Sequence, residues 1–190
     1  DLQLYFSPVS YTRAPAGARP LMNPDPFPGF LMGFNPCKPT SVGNIQISST
    51  DPMLPPKIYS NYLDTDYDKK MMIEGIRLIR RIANAPALNS IIKDELAPGV
   101  GIKSETDIAK YIRQKAWSVF HPCSTCRMGS NPNVSVVDPK LRVYGVDNLR
   151  VVDASIFPTI PTGNINAPSI MVGEYASDII LKDARNQKGL

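Results

Sequence analysis

The side chains best suited to chemistry lie in two short loops, one around His121 and one around Asn164. His121 is the only histidine of the chain and opens the run HPCSTCRMG at residues 121–129. Imidazole is the one side chain whose ordinary pKa lets it take up and release a proton near neutral pH. The second loop, TGNINAP at residues 162–168, offers the Asn164 amide, which donates and accepts hydrogen bonds without titrating. Together these groups could take a proton from a hydroxyl group while holding its oxygen, although the spacing alone does not bring the loops together.

A metal site is an alternative interpretation of the first loop. Cys123 and Cys126 have the Cys-x-x-Cys spacing of zinc ligands, and His121 with the distant Cys37 could complete a Cys₃His set. However, there is no second close pair, and zinc deaminases need a His-x-Glu element, whereas the only histidine here is followed by Pro122 and Cys123. We therefore interpret Cys123 and Cys126 as small, mostly buried packing residues and predict no metal site.

The composition is that of a globular protein. The chain has 190 residues, of which 43% are hydrophobic, enough for one ordinary domain or two small ones with a core. Nothing approaches a run of about 18 apolar residues, so we expect no transmembrane helix. The odd number of cysteines, three, favours a reducing compartment. The net charge is +4, and its densest basic patch (Lys69, Lys70, Arg77, Arg80 and Arg81) is interpreted as a solvated helix face rather than a nucleic-acid site.

The first part of the chain has the pattern of an antiparallel sheet with one exposed face. Residues 2–6 alternate polar and apolar side chains, as a half-buried strand does, and shorter strands are predicted at 43–48 and 57–59. Prolines and glycines dominate residues 14–39, which favours an ordered loop.

Two helices are predicted between these strands and the His121 loop. The first begins at a capping box formed by Thr65 and Asp68 and ends near Pro86. The second begins at Ser104, with Asp107 as its reciprocal cap.

A change in composition falls near Ser135. Beyond it come apolar, β-branched runs that predict strands at 141–144 and 149–152, and then a helix opened by Pro168 and Ser169. This part is typical of a segment that completes a buried α/β domain.

The sequence has no complete dinucleotide fingerprint. A Gly-x-Gly-x-x-Gly turn is absent, and Gly99-Val100-Gly101 lacks the third glycine. Because residues 1–6 already have the pattern of the middle of a strand, we expect the chain to be a piece of a longer protein.

The two loops resemble the catalytic end of the glucose–methanol–choline (GMC) family of flavin-dependent alcohol oxidoreductases. The connecting runs, VDPKLRVYGV at 137–146 and LRVVDASIFP at 149–158, match as well, and the likeness extends from Gly43 to the final helix. One departure is Val42, since the family often has Ser-Arg-Gly where this chain has Ser-Val-Gly.

The resemblance implies a role for each loop. It implies that His121 is the catalytic base and Asn164 its partner. An asparagine at the partner position makes the chain more similar to choline oxidase and hydroxymethylfurfural oxidase than to other members of the family. It also implies four flavin contacts, at Asp153, Ala154, Asn166 and Ala167.

The resemblance also implies a fold and an activity. The fold is α/β: residues 1–135 would form part of an α+β substrate-binding domain with an antiparallel sheet, and residues 136–190 the C-terminal part of a Rossmann-like FAD-binding domain. The intact enzyme would oxidise a primary alcohol to an aldehyde, with proton abstraction by His121 and hydride transfer to FAD. The chain alone would be inactive without the N-terminal FAD-binding portion. Two alternatives remain open: a hydroxynitrile lyase of the same fold, and a zinc-binding module using Cys123 and Cys126.

Overall fold

The computed structural model describes residues 1–12 and 23–188. The chain forms two compact units, each built from two stretches of sequence: Asp1–Pro36 with Thr65–Trp117, and Cys37–Asp64 with Ser118–Leu190. The predicted boundary after residue 135, between a substrate-binding and an FAD-binding part, lies within the second unit. It stays a prediction.

The described residues of the first unit form two antiparallel strand pairs. The strands are β1 (Leu2–Ser7), β2 (Tyr11–Thr12), β3 (Asn23–Pro24) and β4 (Leu31–Pro36). β1 pairs with β4 and β2 with β3. The prediction of a loop over residues 14–39 is therefore wrong for 23–24 and 31–36, while residues 14–22 lie outside the described residues. Local composition failed at β4 because its backbone groups are satisfied by β1, a partner distant in sequence.

The helices of the first unit begin where their caps were predicted. Helix α1 spans Asp66–Ala83, and the Thr65 side chain accepts a hydrogen bond from the Asp68 N–H at 3.3 Å. A short helix, α2 (Pro86–Asn89), follows; it was not predicted, because Pro86 opens a new turn instead of only ending the previous helix. Helix α3 spans Glu105–Lys115.

The second predicted cap is also present. The Ser104 hydroxyl oxygen accepts from the Asp107 N–H at 3.1 Å and donates to the Asp107 carboxylate at 2.6 Å. Both cap pairs satisfy backbone donors of the first helical turn that have no partner within the helix.

Three of the five basic residues of the patch on α1 pair with carboxylates. Arg77 bonds Glu74 at 2.6 Å and Glu105 at 3.1 Å. Arg80 donates to the Glu95 carboxylate through two nitrogens, from Nε at 3.0 Å and from Nη2 at 2.8 Å. In addition, Lys69 contacts Asp66 at 3.0 Å. These pairs support the interpretation of the patch as a structural and solvated helix face.

The second unit contains one strand pair, a 3₁₀ turn and a long helix. Strands β5 (Asn44–Gln46) and β6 (Lys57–Tyr59) pair antiparallel, and the first is shorter than predicted. The 3₁₀ turn spans Ala154–Ile156, and helix α4 spans Asn166–Lys188, beginning before Pro168.

The strands predicted at 141–144 and 149–152 are wrong. This region forms only the isolated bridges Val137–Val143 and Arg142–Arg150. The physical reason is the backbone: Leu141 has a φ of 65° and Gly145 a φ of 74°, so left-handed residues interrupt any regular ladder.

A single apolar cluster forms the core of the second unit. Its buried members come from the turn after residue 136, the 3₁₀ turn and α4: Val137, Leu141, Ile156, Phe157, Val172 and Ala176. Partly buried residues of the His121 and Asn164 loops pack against this cluster, including Cys123, Met128 and Ile165. Over residues 1–12 and 23–188, no helix is both long and apolar enough to cross a membrane.

Candidate active site

His121 and Asn164 meet side chain to side chain. The Asn164 Nδ2 atom lies 2.7 Å from His121 Nε2, although 43 positions separate the residues. An amide nitrogen only donates, so in this arrangement Nε2 accepts and the neutral ring carries its proton on Nδ1. In this chain His121 is half-buried and Asn164 is exposed.

The His121 loop is attached to the 3₁₀ turn by its backbone. Alternate N–H groups of the loop donate to successive carbonyl groups of the turn: Ser124 to Ala154 at 3.4 Å, Cys126 to Ser155 at 2.9 Å and Met128 to Ile156 at 2.8 Å. Further along, the Tyr144 hydroxyl donates to the carbonyl of Gly129 at 2.9 Å. These bonds attach residues 124–129 of the loop to the 3₁₀ turn and to Tyr144.

Both loops rest on the same core. Cys123, two residues after His121, and Ile165, directly after Asn164, pack against the buried cluster of the second unit. The backbone near each functional residue is unusual: Phe120 and Ser124 have φ values of 60° and 72°, and Gly163 has a φ of 130°. Such conformations are costly for side chains as large as phenylalanine and occur where the surroundings determine them.

The four predicted flavin contacts lie in two groups. Asp153 caps the 3₁₀ turn, with its Oδ1 accepting from the Ser155 N–H at 2.7 Å, so one carboxylate oxygen is used locally. Ala154 is half-buried and joins the His121 loop through its carbonyl group. Asn166 and Ala167 are exposed in the first turn of α4. The roles of all four remain predictions.

Two of the cysteines, Cys123 and Cys126, belong to the His121 loop, and Cys37 lies in a distant segment of the sequence. All three are free: Cys37 is buried, while Cys123 and Cys126 are intermediate in exposure. The Cys123 Sγ lies 3.3 Å from the Ser124 hydroxyl oxygen. In the part of the chain that the structure describes, no group of three or more His, Cys, Asp or Glu side chains could hold a metal ion. The zinc alternative therefore gains no support from the geometry.

Asp138 stabilises the turn that carries Val137 and Leu141 into the core, and it was predicted only as part of a turn. The Asp138 carboxylate accepts from the N–H groups of Lys140 and Arg142 at 2.8 and 2.9 Å and from the Arg142 guanidinium at 2.9 Å. Burial alone raises the pKa of Asp138, but the hydrogen bonds and charge of Arg142 and the Lys140 N–H outweigh it, so the pKa lies below its usual value. The Asp-Pro dipeptide was the only sequence signal for this turn.

Comparison with known proteins gives a consistent result. A family model described as GMC oxidoreductase matches residues 39–173. The chain is 42% identical to the oxygen-dependent choline dehydrogenase of Vibrio vulnificus over 154 residues, covering 80% of this chain and 28% of that protein. It is 44% identical to an alcohol dehydrogenase [acceptor] of Pseudomonas putida, covering 81% and 28%. The chain thus spans little more than a quarter of the length of these relatives.

A solved structure agrees with the sequence comparison. The fold superimposes with a TM-score of 0.79 on formate oxidase of Aspergillus oryzae, in a structure concerned with FAD modification. The identity is 29%, over 85% of this chain and 29% of the oxidase. The mixture of helices and antiparallel strands is therefore part of a larger fold that this chain shares with the oxidase.

Proposed function

Since the chain belongs to the GMC oxidoreductase family, we propose that it supplies the catalytic base and its partner amide to a flavin-dependent oxidoreductase that converts a primary alcohol to an aldehyde. The observation that carries the proposal is the 2.7 Å contact between His121 Nε2 and Asn164 Nδ2. The similarity to choline and alcohol dehydrogenases supports an alcohol as the substrate class.

The residues present fit one side of a flavin. Asn166 and Ala167 lie in the first turn of a 23-residue helix, where backbone N–H groups have no partner within the helix and attract electron-rich groups. Both residues are exposed and follow Asn164 by two and three positions, so donors to a polar ring edge would stand beside the base. Asp153 and Ala154 would contact the same cofactor from the 3₁₀ turn. FAD is the form that the family resemblance and the formate oxidase structure support.

The proposed reaction begins when the alcohol takes the place of the direct His121–Asn164 bond. Its oxygen accepts from Asn164 Nδ2, and its O–H donates to the lone pair of His121 Nε2. As the proton passes to Nε2, the amide donor stabilises the negative charge that develops on the oxygen. The flavin, when bound, supplies the acceptor for the hydride that leaves the alcohol carbon. Holding the oxygen between two fixed groups orients that carbon, which is the second contribution of this chain.

The proposal assigns the two parts of the chain to different domains of the intact enzyme. Residues 1–135 would belong to the substrate-binding domain and carry the base, and residues 136–190 would complete the FAD-binding domain. The Gly-rich turn that holds a dinucleotide pyrophosphate is absent from this sequence, so a further segment of the same protein would be the required partner. The chain by itself would then be inactive.

Spectroscopy of the intact protein tests the proposal. A yellow protein whose flavin absorption is bleached by a primary alcohol without oxygen would support it, with the aldehyde formed in equal amount. A flavoprotein that releases an aldehyde from a cyanohydrin without bleaching would favour the lyase alternative. A colourless protein with stoichiometric zinc would contradict the proposal and favour the zinc-binding module.

A further inference from the structure

A small set of hydrogen bonds joins the segment just before His121 to Tyr62, in residues that the proposed reaction does not use. The Ser118 hydroxyl oxygen accepts a hydrogen bond from the Phe120 N–H at 3.0 Å. The Tyr62 hydroxyl donates to the same oxygen at 3.4 Å. Ser118 is thus the centre of a small network that ends at the residue directly before His121.

The network acts on an unusual piece of backbone. Phe120 has a φ of 60°, a left-handed conformation that is unfavourable for a large side chain. Its side chain is 74% exposed, so side-chain burial contributes little to holding this conformation. The Ser118 bond closes a tight turn over residues 118–120, directly before the chain enters His121.

Tyr62 is held in place by its own turn. Asn61 and Leu63, on either side of it, have φ values of 49° and 58°. The Asn61 Nδ2 donates to the carbonyl of Val42 at 3.1 Å, and the Asp64 N–H donates to the Ser41 hydroxyl at 2.9 Å. These bonds tie the Tyr62 turn to the chain entering β5.

We infer that Ser118 and Tyr62 are positioning residues for the His121 base, with Ser118 holding the Phe120 turn and Tyr62 holding the Ser118 hydroxyl. The inference rests on the proposed function, since it assumes that His121 takes the substrate proton. Ser118 has the larger expected effect because its bond to Phe120 is shorter than the bond from Tyr62. Neither residue touches the proton that is transferred, so both act through the orientation of the imidazole.

The test uses single variants of the intact flavoprotein and anaerobic stopped-flow reduction by a primary alcohol. Ser118→Ala should lower the limiting reduction rate by about 3- to 10-fold, the value of one hydrogen bond, with the alcohol dissociation constant and flavin content unchanged. Ser118→Thr, which keeps the hydroxyl, should restore the rate to within about twofold. Tyr62→Phe should lower the rate by about 2-fold.

Matched controls are Ser130→Ala, an exposed serine beyond the loop, and Tyr59→Phe, an exposed tyrosine on β6. Because Tyr62 acts through Ser118, the double variant Tyr62→Phe with Ser118→Ala should be no slower than Ser118→Ala alone.

The inference is overturned if Ser118→Ala reduces its flavin at the unaltered rate, if Ser118→Thr fails to restore the rate, or if the two substitutions add. Loss of flavin in Ser118→Ala at a normal rate per bound flavin would also overturn it, because that pattern indicates a structural role only. His121→Ala, measured in parallel, distinguishes a failure of the proposed function from a failure of the positioning role alone. If that variant is as fast as the unaltered protein, the proposed function itself fails; if it is slow and Ser118→Ala is not, only the positioning role fails.

Discussion

The amide nitrogen of Asn164 donates directly to the Nε2 atom of His121, at 2.7 Å. The two atoms that a substrate would need are therefore engaged with each other in the substrate-free chain. An alcohol can use them only by replacing this bond, and its hydroxyl group is suited to do so, because it can donate to Nε2 and accept from the amide at once. A molecule that only accepts, such as an ether, can satisfy the amide but not the imidazole.

Replacing His121 should slow chemistry without releasing the cofactor. His121→Ala in the intact flavoprotein should reduce its flavin with alcohol about 10²–10⁴-fold more slowly, the usual contribution of a general base. No other histidine of this chain can substitute for it. Stopped-flow absorbance gives the rate, and the flavin-to-protein ratio gives occupancy. Reduction at the original speed would remove His121 from the mechanism.

Replacing Asn164 should affect orientation of the alcohol. Asn164→Ala removes one hydrogen bond to the substrate oxygen, worth about 1–3 kcal/mol, or about 5- to 150-fold in the reduction rate. Bulky substitutions at Ala154 should instead lower flavin occupancy. If Asn164→Ala lost flavin but kept the normal rate per bound cofactor, the placement of this loop at the substrate would be wrong.

Gly43 should tolerate no side chain. A Cβ atom there would lie 2.2 Å from the Tyr59 carbonyl oxygen and 2.8 Å from that of Ser60, both backbone atoms that cannot turn away. Gly43→Ala should therefore destabilise the protein by about 1–3 kcal/mol. Gly101→Ala is the matched control, since a Cβ at that position meets nothing within 4 Å, and its effect should stay within about 0.5 kcal/mol. Equal unfolding midpoints for the two variants would contradict the packing of β5 against β6.

Asp138 should make stability depend on pH in acid. Its pKa in the folded protein is lowered, because hydrogen bonds from Arg142 and Lys140 outweigh the opposing effect of burial. The stabilisation is therefore fully present above the unfolded-state pKa of about 3.9 and is lost as the pH falls through the lower folded-state pKa.

The variant Asp138→Asn should lack this acid-dependent component while losing stability at neutral pH. Denaturant titrations from about pH 7 to 3 measure both effects, with Asp147→Asn, an exposed aspartate of the next turn, as control. An unaltered acid dependence in Asp138→Asn would show that other carboxylates dominate.

Local signals in the sequence predicted local structure well. The caps at Thr65 and Ser104 were identified because each bond spans only three residues. The same reasoning failed at β4, whose partner β1 is about 30 positions away, and at Leu141, whose φ of 65° lies outside the strand region. Whether a segment becomes a strand depends on a partner that local composition does not specify.

The candidate site, like the fold, was predicted only in part from the sequence. The chemistry of an imidazole and an amide could be inferred from residue types, whereas their meeting could not, since no pattern of spacing brings His121 to Asn164. Only the resemblance to the GMC family predicted that contact, and the structure contains it. Ser118 and Tyr62 were missed altogether, because a serine and a tyrosine in separate segments carry no motif. Their relation emerges only from the distances.

The attachment of the His121 loop to the 3₁₀ turn has a consequence for how such a site can diversify. All three bonds, from residues 124, 126 and 128, join backbone to backbone, so they do not depend on the identity of the side chains. The side chains of Thr125 and Arg127 are exposed and take no part in these three bonds, so exchanging them would leave the loop attached to the 3₁₀ turn. Directed evolution of substrate preference, or grafting of a loop from a relative, can therefore begin at these positions. Proline should be avoided at positions 124, 126 and 128, because it has no backbone N–H to donate.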